Sequence, residues 1–173
     1  FAHIAARAGA EVTILQRGPR MLTQFEPELV SWLMDAINRI GVRVITDTTV
    51  DAIRERDGEY TVHASGKEGP IEVAADLVVH AAGRAPAIER LDLEKGGVAV
   101  ENGKLKLNEF LQSVSNPAVY AAGDAASNGP PLTPVSSHDA KVVATNLVEG
   151  NHRKPDYKGV PSVAFTLPPI ARV

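Results

Sequence analysis

Two short stretches of this chain carry residue types whose spacing suits chemistry. The first is Val119-Tyr120-Ala121-Ala122-Gly123-Asp124-Ala125-Ala126. A short apolar run without charge reads as a buried strand, and this one stops abruptly at Gly-Asp. Small neighbours and Gly123 let another backbone or a ligand come close. Open α/β sheets bind ligands beyond the carboxyl ends of their strands, which is where Asp124 falls. A carboxylate there accepts two hydrogen bonds from vicinal hydroxyls, as on a ribityl or ribose chain. The plain alternative is an aspartate capping a turn.

The second stretch is Gln16-Arg17-Gly18-Pro19-Arg20, which follows a predicted strand, Glu11 to Leu15. In a dinucleotide fold the end of the second strand meets the adenosine ribose. An acid there favours a free 2′-hydroxyl, and an arginine accommodates a 2′-phosphate. This stretch has no acid and two arginines, and the planar guanidinium fork can bond two phosphate oxygens. The alternative is a solvated basic loop. The histidines, His3, His63, His80, His138 and His152, are scattered without metal-motif spacing and read as structural or solvated. With no cysteine, the chain itself has no disulfide, zinc-thiolate site or redox dithiol.

The elements that would position these residues follow from periodicity. Phe1, Ile4, Ala5 and Ala8 fit one helical face, and Gly9 sits where a glycine would end that helix. Helix, glycine and strand make the second half of a βαβ unit. The first half would hold a glycine-rich phosphate loop, yet none of the 14 glycines falls in a G-x-G-x-x-G pattern. The expectation is a fragment cut inside the first helix of a dinucleotide fold. Glu26-Pro27 opens the next helix, with Leu29, Val30, Leu33, Met34, Ile37 and Ile40 as its apolar stripe and Gly41 as its end. Val42 to Ile45 is the following strand. Thr48–Arg56, Glu59–Ala64 and Ile71–Ala74 read as three more strands, with Asp57-Gly58 as a hairpin turn and Ser65 to Pro70 as a polar loop. This pattern predicts an antiparallel meander beside a parallel sheet. Asp76 to Ala82 reads as a buried parallel strand running into Gly83-Arg84-Ala85-Pro86.

Beyond Pro86 the texture changes. Gly97–Val100 and Lys104–Leu107 flank Asn102-Gly103, a second hairpin signal. Ser136 or Ser137 can cap a helix whose apolar positions are Ala140, Val143, Ala144, Leu147 and Val148, ended by Gly150. Asn151 to Gly159 reads as an exposed linker, and Val160 to Phe165 as a first strand of another unit. The composition, 44% hydrophobic and 23% charged, is that of a globular protein. A net charge of −3 gives no argument for nucleic acid or an acidic membrane surface. No apolar run approaches the roughly 20 residues that span a bilayer.

Four stretches, in this order, resemble the flavoprotein disulfide reductases of the glutathione reductase, dihydrolipoamide dehydrogenase and mercuric reductase group. Ala82-Gly83-Arg84-Ala85-Pro86 resembles the crossover from the nicotinamide domain to the flavin domain, and Val119 to Asp124 resembles the second flavin fingerprint. Leu132-Thr133-Pro134-Val135 resembles the segment beside the isoalloxazine ring, and Phe165 to Ala171 the start of the interface domain. The resemblance covers the whole chain. It implies an α/β fold: a Rossmann-like dinucleotide-binding domain, parallel sheet plus antiparallel meander, over residues 1–84. The returning part of an FAD-binding domain follows over 85–154, and the start of a dimerisation domain over 155–173.

By the same resemblance Asp124, with Gly123, matches the FAD ribityl ligand, and Leu132 and Thr133 match the backbone facing the flavin pyrimidine edge. The helix that opens there would direct its positive end at the flavin. Gly83 and Arg84 match positions near the nicotinamide nucleotide. Arg17 matches the arginine at the 2′-phosphate of NADPH-using members, and Gln16 the acid of NADH-using members. Val50 falls where the family has a valine near adenine, and reads better as core. The implied function is hydride transfer from NAD(P)H through FAD to a small-molecule or protein disulfide, in a cytoplasmic homodimer with NADPH preferred. The isolated chain is expected to be inactive, because the reactive cysteine pair and the nicotinamide glycine loop would precede Phe1. A second family arginine is missing, with Thr23 near its place and Arg20 earlier. Two other readings stand beside this one. The chain can belong to a related NADH oxidase or ferredoxin reductase-type flavoprotein without a dithiol, or be a non-catalytic nucleotide-binding α/β module.

Overall fold

The stripe of residues 29–40 forms the helix it predicts. In the computed structural model, which describes all 173 residues, α1 spans Ala2–Arg7, β1 Thr13–Leu15, α2 Pro27–Arg39 and β2 Arg43–Ile45. Pro27 stands in the first turn of α2, where its missing N–H costs nothing, and Gly41 just past the end takes φ +82°. Val30, Leu33 and Ile37, spaced three and four apart, are its buried face. β1 and β2 pair in parallel, with Thr13 opposite Arg43 and Leu15 opposite Ile45. Three further strands, β3 (Thr49–Arg56), β4 (Glu59–Gly66) and β5 (Gly69–Ala75), form the antiparallel meander. Asp57 (φ +56°) and Gly58 (φ +85°) are both left-handed, as a two-residue hairpin turn requires. A bulge shifts the register between Val50 and Ala52, and the skipped Asp51 accepts a 2.6 Å hydrogen bond from Ser65 Oγ.

By contact clustering the chain divides into two units, Phe1–Ala81 with Pro161–Val173, and Ala82–Val160. The core of the first is Phe25, Val30, Leu33, Ile37, Val42 and Ile170. Ile170 comes from a C-terminal hairpin, β8 (Ser162–Ala164) and β9 (Ile170–Arg172), after β6, β7 and α3 of the other unit. The second unit holds β6 (Val100–Glu101), β7 (Lys104–Leu105) and α3 (Thr133–Glu149). Val98, Leu105, Leu107, Leu111, Ala126 and Val142 are its core. Asn102 and Gly103 turn the β6–β7 hairpin, again both left-handed. The fold is α/β, with parallel and antiparallel sheets. No helix is long and apolar enough to cross a membrane.

Several sequence expectations need correcting. Asp76 to Ala82 is not a strand: no strand of the chain lies alongside to satisfy its backbone, and Leu77 and Val79 are 75% and 50% exposed. Val119 to Ala122 is extended but makes only one antiparallel bridge, Tyr120 with Gln112. A 3₁₀ turn over Gly123–Ala125 then ends it. In α1 the buried side chain is His3, not Phe1 or Ile4. The polar stretch 65–70 is mostly strand, with a tight turn at Lys67-Glu68. Neither Ser136 nor Ser137 caps α3, which starts at Thr133 with Leu132 as its N-cap. Its buried face is Val135, Asp139, Val142 and Asn146, whereas Leu147 and Val148 are exposed. Polar residues hold half of that face, so a hydrophobic count selects the wrong side. The strand expected over Val160 to Phe165 is shorter, Ser162–Ala164, and pairs with Ile170–Arg172.

Segment 151–159 is exposed at most positions, as expected of an exposed linker, and is also hydrogen-bonded to α3. Asn146 Nδ2 donates to the carbonyls of Phe110 (3.1 Å) and Arg153 (2.8 Å), and its Oδ1 accepts from the N–H of His152 (3.2 Å) and Arg153 (2.9 Å). Asn146→Ala leaves these backbone groups without partners, at about 1–3 kcal/mol for each one that stays buried. The expected outcome is a lower Tm with faster proteolytic cleavage within 150–158, checked by thermal melts and limited proteolysis.

His3 is buried and both ring nitrogens lack partners. Burial first, then the charges of Arg7 and the N-terminal ammonium, lower its pKa. The unfolded state therefore takes up a proton on acidification before the folded state does, and stability falls below the ordinary histidine range. The Tm should drop between about pH 7 and about pH 5, and His3→Leu should remove part of that drop. Identical pH profiles for the two proteins would exclude His3 as a contributor.

Candidate functional site

Gly123 sets the local geometry in the second unit. Its φ is +71°, and a Cβ there would lie 2.0 Å from Ser136 Oγ and 3.2 Å from Ser136 Cβ, so any other residue strains the backbone and displaces the Ser136 side chain. The 3₁₀ turn closes with a 2.9 Å bond from Ala126 N–H to Gly123 O. Asp124, the middle residue of the turn, is exposed. The first backbone bond of α3 runs from Ser136 N–H to Leu132 O at 3.0 Å. Pro134 has no N–H and no side chain caps the helix, so the Thr133 and Val135 amides are free of intrahelical bonds. Leu132 is half-buried and Thr133 exposed at this end. Gly123, Asp124, Leu132 and Thr133 thus belong to one packed turn-and-helix junction.

Beneath the junction lies Asp139, fully buried on α3. Its Oδ2 accepts from Gly123 N–H at 3.4 Å, and its Oδ1 accepts from Tyr157 O–H at 2.9 Å. Tyr157 packs against Gly129, where a Cβ would come within 2.8 Å of the ring, and its ring meets that of His138 edge-on at 6.3 Å. Burial, and then its bond to Asp139, push the Tyr157 phenol well above its ordinary pKa. It stays protonated and donating at any ordinary pH. Sequence reasoning missed both residues. The available signal for Asp139 was a polar pair, Asp139 and Asn146, alternating at helical spacing with Val135 and Val142.

At the end of β1, in the first unit, Gln16 is half-buried and its Nε2 reaches Arg20 O at 3.5 Å. The backbone here is well fixed: Gln16 N–H donates to Ile45 O at 2.8 Å and Gln16 O accepts from Thr48 N–H at 3.0 Å. A cleft of about 330 Å³ opens beside it, lined by Gln16, Arg20, Leu22, Thr23, Gln24 and Phe25. No acidic residue lines it. Arg20 donates to Thr23 O at 3.0 Å, while Arg17 is exposed and not part of the lining. Gly83 is exposed with φ +102°. Arg84 lines a separate open cleft of about 480 Å³ in the second unit with Pro86, Ile88, Glu89 and Lys104. No three histidine or carboxylate side chains come close enough together to hold a metal ion.

The chain as a whole is similar to known proteins. The family described as "Pyridine nucleotide-disulphide oxidoreductase" matches residues 1–140. A mercuric reductase of Staphylococcus aureus is 37% identical over 169 residues, covering 95% of this chain and 30% of that protein. A dihydrolipoyl dehydrogenase of the same organism is 35% identical over 172 residues, covering 97% of this chain and 36% of that protein. Among solved structures, the Cu(II) complex of the HOCl-induced flavoprotein disulfide reductase RclA from Escherichia coli aligns with a TM-score of 0.84 and 28% identity. That alignment covers 99% of this chain and 38% of RclA. The chain therefore spans about a third of the length of each of these relatives. Its match to the family over 1–140, and relatives that cover nearly all of it, lead to one assignment: this chain belongs to the pyridine nucleotide-disulphide oxidoreductase family.

Proposed function

We propose that this chain supplies part of an FAD site and part of an NAD(P) site in an oxidoreductase of its relatives' length, acting on a disulfide-type substrate. The observation that carries the reading is the Gly123–Asp124 junction. An exposed carboxylate stands beside a helix start that keeps two free amide donors. The donor and acceptor set fits FAD. Asp124 would accept from the ribityl hydroxyls, and the Leu132–Thr133 backbone would donate to the polar edge of the ring system. When bound, FAD supplies two-electron exchange between a reduced nicotinamide and a disulfide. The residues of this chain bind and orient. Gly123 gives the close approach, Asp124 the hydroxyl contact, and the α3 amides a positive field.

For the nucleotide, Gln16 and Arg17 are the contacts proposed at the adenosine ribose, with Gly83 and Arg84 nearer the nicotinamide. The absence of any acid in the cleft beside Gln16 supports NADPH over NADH. The substrate disulfide and the homodimer follow the family and are part of the same proposal. The chain has no cysteine, so no thiol of its own can exchange with a substrate. The isolated 173 residues are expected to show no NADPH-dependent disulfide reduction.

Asp124→Ala tests the flavin half. In a reductase of the relatives' length that includes this chain, the substitution leaves the ribityl hydroxyls unpaired. Two such losses weaken FAD binding by on the order of a hundredfold or more. The variant should elute from gel filtration with less than one FAD per chain by the ratio of flavin to protein absorbance. A folded variant with full flavin occupancy would remove Asp124 from the site.

Arg17→Glu tests the nucleotide half. A charge-assisted arginine–phosphate contact is worth roughly 1.5–3 kcal/mol, which is on the order of 10–100-fold in Kd. The ratio of NADH to NADPH dissociation constants should shrink or invert in the variant. Equal affinity for the two nucleotides in the unsubstituted protein would refute the preference.

A further inference from the structure

A carboxylate with no exposed surface normally has a cation beside it, because the desolvation cost is otherwise uncompensated. Asp139 has none. The charged groups nearest in sequence are His138 and Lys141 on its own helix, and Asp156 and Lys158 flank Tyr157 on the segment packed against it. None of these forms an ion pair with Asp139. Its two hydrogen bonds come from neutral donors, the Gly123 amide and the Tyr157 hydroxyl. Stability alone gives little reason to keep a charge in such a place, since a neutral side chain of the same shape removes the desolvation cost. What the carboxylate does have is reach. It spans from α3 to the N–H of Gly123, the residue before Asp124, and Tyr157 holds its other oxygen.

We infer that Asp139 is a positioning residue for the flavin site, fixing the Gly123 peptide so that the Asp124 carboxylate is presented to the ribityl chain, with Tyr157 locking Asp139 in turn. The inference rests on the reading of Asp124 as the flavin contact. The geometry supplies three constraints in series. Gly129 leaves room for the Tyr157 ring, which a Cβ would meet at 2.8 Å. The Tyr157 hydroxyl bonds Asp139 at 2.9 Å, better than the 3.4 Å of the Gly123 contact, so the tyrosine orients the carboxylate and the carboxylate orients the turn. Finally the left-handed Gly123, pressed on Ser136, leaves the turn no second way to pack.

The test is a double-mutant cycle in a reductase of the relatives' length that includes this chain, read by the Kd for FAD added to apoprotein well below the Tm. Asp139→Asn keeps the shape but puts an amide where a carboxylate accepted two bonds. The expected Kd rise is about tenfold, the scale of one charge-assisted hydrogen bond. The visible circular dichroism of bound flavin should change with it. In the Asp124→Ala background the same substitution should change Kd little, because Asp139 acts through Asp124. In the apoprotein, hydrogen exchange at the Gly123 amide should speed up, a readout that needs no flavin. Tyr157→Phe should give the same signs at smaller size, and it carries the test if Asp139→Asn does not fold. If Asp124→Ala weakens FAD while Asp139→Asn and Tyr157→Phe lower only the Tm, the flavin reading stands and the positioning role is overturned. The positioning role also falls if the effect of Asp139→Asn is equal in both backgrounds. If Asp124→Ala itself leaves Kd unchanged, both readings fall.

Discussion

One buried acidic side chain ties together three stretches of the second unit. A carboxylate inside a protein must be given hydrogen bonds by whatever surrounds it, and its demand is directional where apolar packing is not. Asp139 meets that demand with a backbone amide from before α3 and a phenol from after it. Three stretches far apart in sequence are thereby brought to one point: the turn at 123–125, the middle of the helix, and the tail that follows it. Asn146, two turns further along, does the same with four backbone contacts. The α3 face is thus half apolar packing and half polar fastening, and the polar half decides where the flanking segments go.

The first unit is organised differently. Its parallel pair and α2 share an apolar core, in which Val30, Leu33 and Ile37 meet Phe25 and Val42. Apolar packing tolerates exchange of shape for shape, whereas a directional polar lock does not. The cleft beside Gln16 borrows its rigidity from this packed layer, through main-chain bonds to Ile45 and Thr48. The loop that follows β1 holds no buried charge; its anchoring is main-chain, at the strand end.

Those two styles differ in how far they can be read from sequence. α2 was legible because its apolar spacing, proline and glycine all agree, and the β3–β4 and β6–β7 hairpins because Asp57-Gly58 and Asn102-Gly103 accept the left-handed turns that hairpins need. The buried face of α3 was not legible. Its polar members are explained by backbone groups up to 36 residues away, which no local window contains. The apolar run at Leu77–Val79 shows the opposite failure. Its composition asks for burial, but burial needs strands on either side, and within this chain none is there. The Gly123–Asp124 turn stood out in the sequence because an apolar run stops abruptly at Gly-Asp, whereas Asp139, a lone aspartate in a helix, looks like a solvated residue and is in fact buried.

Ile170 has a consequence for the order of events as the chain is made. It completes a core whose other members all lie before residue 43, and the whole of the second unit is strung between them. Non-local closure of this kind is slow, because a long loop must be ordered before the contact rewards it. The continuous stretch 82–160 has no such wait and can condense as soon as it is complete. The core of the 1–81 unit is complete only when Ile170 joins it, so that unit depends on residues more than a hundred positions further along the chain, whereas 82–160 is closed within itself.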